Sequence, residues 1–598
     1  MSSRALAALV ACVAVAASAP PAAAAPASWQ QLARGIADPW PALQTRSGHF
    51  GDYVRDRAGG AGRDDYGDAM LGYALLQVGL REDDQRPVRS GLRAVTYAAR
   101  HPSSEAIRMY QSLGIASAYN LARRKLVGDD RFEAVRRTWE KRLRRIRILT
   151  LHEHRVVWSH AMAEAVEVLE LTRSGLHSSD PQTVLHDPKA AARRARRLFN
   201  RDMPDAAERT ERSDPRAGPT AVLGEFTRGL PIAYHALGLG MLARGVELMG
   251  PGASSRARAT LRAAASASWA LQSPDGDVAY FGRSQAQSWT LALTAYGSGV
   301  AAATPGASDA AAARWRAVAA RAVDRLADAY PVRDIGLLIT PALARNLGGG
   351  IHGLDDYVAA VSYNGLTLAA LNWAIAAAGP AGGGEIGADT PGSFVVGKGQ
   401  TAFATVRTPD VWFVVKEART EPGDLRYDFG LVALKVRDGS GGWRDLMPVR
   451  PITHGDADTA GPVLIRGGHV GAAKGDTLHV GSGGKVIVRG GFRDGGSWLR
   501  HGVRFVFEPR DCGVRLSLPV RKNDRLDYSG FLRHGNPQAT EFGLSEPGQL
   551  VSSNSPFTHS LGGGYSSGMD PRITRARMRW TPPSNGRLTI TVCRPDAS

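Results

Sequence analysis

Three segments gather residue types suited to removing a proton beside a carboxylate. Such chemistry needs a group that neutralises the carboxylate, a base and an acid for the leaving oxygen. Residues 273–289 read SPDGDVAYFGRSQAQSW. Asp275 and Gly276 mark a turn, so Asp277 to Arg283 falls in a loop ahead of a helix. Tyr280 offers a hydroxyl proton, and Arg283 a planar fork that matches a carboxylate bidentately. Gln287 adds a polar contact, and Trp289 a face on which a ring can stack. The competing reading is a structural turn whose arginine caps a neighbouring helix.

Residues 229–242 read GLPIAYHALGLGML and place Tyr234 beside His235 after a proline. Neutral imidazole is an adequate base near neutral pH. The surrounding run is apolar, so a satisfied core histidine is the alternative, although Glu225 and Arg228 bring polar chemistry close. Residues 348–356 read GGGIHGLDD, and glycines permit close backbone approach to a ligand. His352 is a second candidate base, Asn364 a candidate carboxylate neutraliser and Tyr363 a binding residue, with Asp355 or Asp356 as the cap of the next helix.

Weaker sets remain. His152, His154 and His160 with Glu153 do not make a standard zinc spacing, and a surface or inter-helix role fits better, with Trp158 and His160 lining the ring as the alternative. Asp64, Asp65 and Asp68 with Tyr66 open a helix, where acids are mostly caps and dipole partners. Arg419, Arg426, Tyr427 and His454, farther along, are polar enough to close a cleft wall, with Arg426 as the binding candidate. No GxSxG, P-loop or GxGxxG before a helix occurs, so nothing supports nucleotide, acyl-transfer or redox chemistry. No cofactor or catalytic metal is called for, and a structural divalent cation stays open.

Those loops need elements to hold them. From about Asp65 to Ala378 the apolar period is helical, giving ten to twelve helices with short Gly- or Pro-containing connections. That alternation suits antiparallel helical hairpins closing into a toroid. The stretch GPAGGG at 379–384 reads as a linker. Beyond it the period becomes two, in segments such as VWFVVK (411–416), KVIVR (485–489) and LTITV (588–592). Short strands between Gly, Asp and Ser turns indicate an antiparallel β-sandwich. The expected layout is an α+β multidomain chain: a signal peptide at 1–25, a helical (α/α) toroid at 26–378, a linker at 379–392 and a β-sandwich at 393–598.

A helical toroid followed by a β-sandwich resembles the exported polysaccharide lyases of the heparinase II/III, alginate-lyase and chondroitin/hyaluronate-lyase types. The segments at 229–242 and 273–289, with DDYVAAVSYNGLTLAALNW at 355–373, carry the resemblance. It implies a lyase acting by β-elimination on a uronate-containing glycan. Arg283 and Asn364 would hold the carboxylate, His235 or His352 would take the C5 proton, and Tyr280 would protonate the leaving oxygen. An (α/α)-toroid glycoside hydrolase with paired carboxyls and a non-catalytic glycan-binding protein are the alternatives.

Composition agrees with an exported globular protein. The 598 residues are 43% hydrophobic and 22% charged. Net charge is +18, and nine of the 74 basic residues are lysine. The charge is spread along the chain with no basic tail, so an anionic polymer suits it and nucleic acid does not. Arg4, the apolar run from Ala5 to Ala17 and the alanines at 22–25 read as a secretory signal. No later segment is long and apolar enough to span a membrane. Cys12 leaves with the signal, so Cys512 and Cys593 are the candidate disulfide in an oxidising compartment. Oligomeric state is open.

Overall fold

The computed structural model describes residues 25–54, 66–103, 108–147, 157–225, 230–346, 354–355, 358–377, 390–421, 423–451, 459–580 and 582–595. The signal expected at 1–25 and the linker expected at 379–392 fall almost wholly outside the described residues, as do His152, His154, Arg228, His352 and His454.

Twelve long helices among the described residues form six hairpins. They are α1 (Ala25–Ala37), α2 (Gly67–Glu82), α3 (Gln85–Arg100), α4 (Met109–Lys125), α5 (Asp130–Leu143) and α6 (Trp158–Arg173). They continue as α7 (Pro188–Arg197), α8 (Ile232–Met249), α9 (Ser255–Leu271), α10 (Ser288–Ala303), α11 (Asp309–Ala329) and α12 (Ala360–Ala377). The even-numbered helices pack in the cyclic order α2, α4, α6, α8, α10, α12 and back to α2. The odd-numbered helices lie outside them. The chain is thus the closed helical toroid that its periodicity predicts.

Composition explains which helix goes where. Helices α8, α10 and α12 are apolar nearly all round, so they must be covered on every side. Helix α3 buries its apolar stripe and leaves arginines outside. The inner helices also carry small residues at their crossings. A Cβ on Gly114 of α4 would stand 2.6 Å from the Ala69 backbone of α2, and one on Gly365 of α12 would stand 2.7 Å from the Leu71 nitrogen. Ring closure therefore needs glycine at these two contacts.

The C-terminal half holds two antiparallel sheets. The smaller is β1 (Gly392–Val396), β2 (Phe403–Arg407), β3 (Val411–Lys416), β4 (Gly430–Arg437) and β5 (Trp443–Asp445), in that order. The larger comprises β6 (Val463–Arg466), β7 (His469–Val480), β8 (Val486–Asp494), β9 (Ser497–Arg510), β10 (Gly513–Pro519) and β11 (Arg525–Leu532), continued by β12 (Gln538–Ala539), β13 (Gly543–Glu546), β14 (Gln549–Ser553), β15 (Phe557–Tyr565), β16 (Ile573–Trp580) and β17 (Arg587–Cys593). Its spatial order is β12-β13-β14-β17-β10-β9-β8-β7-β6-β11-β16-β15.

The small sheet is a middle layer. Phe394, Phe403, Trp412 and Val414 face the toroid core, while Val395, Ala404, Phe413 and Val415 face the core shared with the large sheet. That two-sided burial is why β3 reads as an unbroken apolar run instead of an alternating one. Edge-to-face pairs seal the toroid side, with Trp269–Phe394 centroids at 4.6 Å and Phe281–Phe403 at 5.2 Å. The expected disulfide joins Cys512 to Cys593 and ties β17 to the turn before β10.

Gly114→Ala pushes a methyl group into the α2 backbone. It should cost about 1–3 kcal/mol, read as a lower denaturant midpoint at unchanged slope.

Candidate functional site

The toroid brings six aromatic side chains to one mouth. Each comes from the start of an inner helix: Tyr66 at the N-cap of α2, Tyr110 of α4, His160 of α6, Tyr234 of α8, Trp289 of α10 and Tyr363 of α12. Successive rings touch. Centroid separations are 6.4 Å for Tyr66–Tyr110, 6.2 Å for Tyr110–His160, 5.7 Å for His160–Tyr234, 6.3 Å for Tyr234–Trp289 and 6.1 Å for Trp289–Tyr363. Helix α12 packs back against α2, which brings Tyr363 round toward Tyr66. Because first-turn residues meet all the way round, the six inner helices point their N-termini at this mouth. Each terminus carries a partial positive charge of about half a unit, so the mouth favours an anion.

The tyrosine hydroxyls converge. Burial raises Tyr110 and Tyr363 well above the ordinary phenol range, and neighbouring tyrosines add to it. Both therefore stay protonated and act as donors. The Tyr110 hydroxyl is buried with no hydrogen-bond partner among the described residues. His160 is only partly buried, so its imidazole is the reachable base of the circle.

Arg283 flanks this circle. Its guanidinium lies 4.5 Å over the Tyr234 ring and bonds to the buried Glu225 carboxylate. The loop that carries it is held from the β half and from the segment before α12. Gly282 N donates to Arg426 O at 2.9 Å, Arg283 N to the Tyr427 hydroxyl at 3.1 Å and Ser284 N to Asp355 Oδ2 at 3.0 Å. Arg426 in turn grips Asp355 at 2.7 Å and Asp424 at 2.7 Å. Ser284 and Ala286 both sit at positive φ, 60° and 56°, a strained backbone on either side of Gln285. Gly282, at φ 80°, lets this loop pass against Pro231 and the Tyr427 ring, where a Cβ would stand 2.5 Å from Pro231 Cβ.

Several expected site residues go elsewhere. Tyr280 turns away from the mouth and donates a hydrogen bond to Asp277, which pairs with Arg325 at 2.9 Å and Lys435 at 3.5 Å. Burial and Asp277 raise Tyr280 well above its ordinary range. It belongs to a buried ion cluster at the joint of the two halves, not to the aromatic mouth. His235 is enclosed in the core: its Nδ1 accepts from Leu223 N at 3.0 Å, and its Nε2 lies 3.0 Å from Ser268 Oγ. Burial pushes it down to about 4. Asn364 is wholly buried and clamps the backbone of Leu337 through Oδ1 and Nδ2, both at 2.9 Å. Gln287 accepts from Trp289 Nε1 at 2.7 Å and orients that indole. Arg426 is committed to Asp355 and Asp424. His352 lies outside the described residues.

Tyr110 and the placement of His160 are the gains over sequence reading. The signal was present, an aromatic in the first turn of every inner helix, but it is visible only once the inner helices are known. Among the described residues, no group of three His, Cys, Asp or Glu is placed to hold a metal ion. No helix there is long and apolar enough to cross a membrane.

No protein-family model matches the chain, and no curated protein sequence does. Among solved structures, the chain is similar in fold to a chondroitin AC lyase of Streptomyces coelicolor A3. The TM-score is 0.50 at 14% identity, covering 97% of this chain and 80% of that one. A heparinase III aligns over 95% of this chain and 84% of its own at 10% identity and TM-score 0.41. An α-1,6-mannanase of Salegentibacter sp. HEL1_6 covers 58% of this chain and 99% of its own at 13% identity and TM-score 0.37. The lyase-type resemblance expected from the sequence is thus found in the fold.

A histidine that titrates near 4 when folded and near 6.5 when unfolded binds a proton only in the unfolded state between those values. Stability is therefore complete above about pH 6.5 and is lost as pH falls toward 4, by about 3 kcal/mol in total. His235→Gln should flatten that part of the stability–pH curve, measured by urea unfolding between pH 4 and 7. An unchanged slope would show that His235 is not the group responsible.

Proposed function

We propose that this protein is an exported polysaccharide lyase that cleaves a uronate-containing glycan by β-elimination at the toroid mouth. The observation that carries the reading is the closed circle of Tyr66, Tyr110, His160, Tyr234, Trp289 and Tyr363, with Arg283 stacked on its Tyr234 edge. The lyase-like fold supports it, as does the anion-favouring convergence of helix N-termini. The apolar N-terminal run and the disulfide support export.

Roles follow from position. Arg283 meets the uronate carboxylate and disperses the charge that builds on it as C5 loses its proton. His160 takes that proton. The electron pair forms the C4–C5 double bond while the C4–O bond breaks. Tyr234, next to both His160 and Arg283, gives its proton to the leaving oxygen. Tyr110 and Tyr363, held protonated, donate hydrogen bonds to sugar oxygens. Trp289, fixed by Gln287, supplies a stacking face. Hydrolysis by paired carboxyls is less well supported, because Glu225 and Asp355 are each held by an arginine.

The test is incubation with chondroitin sulfate, hyaluronate, heparan sulfate, alginate and pectate, following the ultraviolet band of the unsaturated uronate. Absorbance should rise on at least one polymer. His160→Ala and Tyr234→Phe should each lower kcat by about 10²–10⁴-fold with a smaller change in KM. Tyr280→Phe and Asn364→Asp should act through stability alone. New reducing ends without the chromophore would turn the reading to a hydrolase, and no product on any polymer would leave a glycan-binding protein.

A further inference from the structure

The large sheet carries a cluster of exposed basic and aromatic side chains. In β8 the residues Val486, Val488 and Phe492 enter the core. Alternation then sends Arg489 and Arg493 to the opposite, solvent face. The β8–β9 register sets Arg489 directly opposite Arg504 and Arg493 directly opposite Trp498. On the other side of β8, Thr477 of β7 stands opposite Arg489 and Lys474 opposite Gly491. Both Arg489 and Arg504 are exposed, and among the described residues neither takes part in an ion pair. Two like charges facing each other across strands are destabilising, so the fold carries a cost here that no internal partner relieves.

An aromatic platform adjoins them. Trp498 is 36% exposed, unusual for a large aromatic on this protein. The Arg493 guanidinium sits 5.6 Å from its ring, and the His501 ring stands 4.6 Å from it. The acids nearby are already engaged: Asp476 with His501 at 2.9 Å and Asp494 with His469 at 3.0 Å. Burial first, then Arg489, Arg504 and Arg212, push His479 below its ordinary value, which marks how strongly positive this face is. From Arg489 to Arg493 the strand advances about 13 Å, longer than one sugar ring.

We propose that the solvent face of β7–β9 is a second glycan-binding site, distinct from the toroid mouth. It takes a sulfated or carboxylated polysaccharide chain, with Trp498 beneath one sugar and Arg489, Arg504 and Lys474 on its anionic groups. The unneutralised arginine pair supplies the charge complementarity, and the indole supplies the preference for a ring over a bare polyanion. The site rests on the lyase reading only in taking an anionic glycan as its ligand. It would keep the enzyme on a long chain between cleavages.

The experiment measures binding without turnover, on the His160→Ala background, against heparin for sulfate, alginate for carboxylate and duplex DNA as a plain polyanion. Arg489→Ala with Arg504→Ala should raise Kd for heparin or alginate at least tenfold, and Trp498→Ala at least fivefold. Whichever polymer shows the loss identifies the anionic group read. The thermal midpoint of the double-arginine variant should stay level or rise, because the like-charge contact is gone. With His160 restored, that variant should still cleave short oligosaccharides at the parent rate. Unchanged Kd for both polymers overturns the site, as does DNA binding of equal strength and equal sensitivity to the substitutions. A failed cleavage assay with the binding loss intact overturns the lyase reading and leaves this site standing.

Discussion

Closure of the inner ring is the constraint on which everything else depends. Six helices can enclose one another only if each is covered along most of its length and small where it crosses its neighbour. Gly114 against Ala69 and Gly365 against Leu71 show how little room is left. Closure also fixes direction. Inner helices alternate with outer ones in hairpins, so all six start at the same mouth. Their first turns form one circle, and their dipoles add there. A ring left open at one helix pair would break the aromatic circle as well as the fold.

The second constraint is the joint between the halves. The small sheet is covered on both faces and transmits the position of the toroid to the large sheet. Charges buried at this joint are paired closely. Lys435 Nζ lies 2.6 Å from Asp275 and 3.5 Å from Asp445, while Arg325 holds Asp277. Lys416 is buried against the rings of Phe281 and Phe403, and burial brings it down to about 7. These groups anchor the loop at 273–287 at its first end. Its second end, with Arg283, is thereby carried to the mouth. Tyr280 and Arg283 are three residues apart in one loop yet serve different purposes: one locks the joint and the other faces the site.

Three of the residues singled out from the sequence lie inside the protein, away from the aromatic circle. Tyr280, His235 and Asn364 are polar residues in otherwise apolar settings, which made them conspicuous. Polar groups in such settings are usually there because a partner satisfies them, and all three are satisfied internally. Tyr234, Trp289, Tyr363 and Arg283 do reach the mouth, and Tyr110 passed unnoticed because a single tyrosine in an amphipathic helix looks like core.

By itself the sequence determined the two periods, 3.6 and then 2, and with them a helical toroid joined to antiparallel sheets. It also determined the cysteine pair available for a disulfide. Periodicity suffices for this, because burial of apolar faces is a local pattern repeated along the chain. Only the tertiary structure decided which aromatics share the mouth, which carboxylate holds Arg283 and which arginines face each other across β8 and β9. Those choices depend on ring closure, strand register and loop anchoring, which bring together residues up to about three hundred positions apart and leave no mark at any one of them.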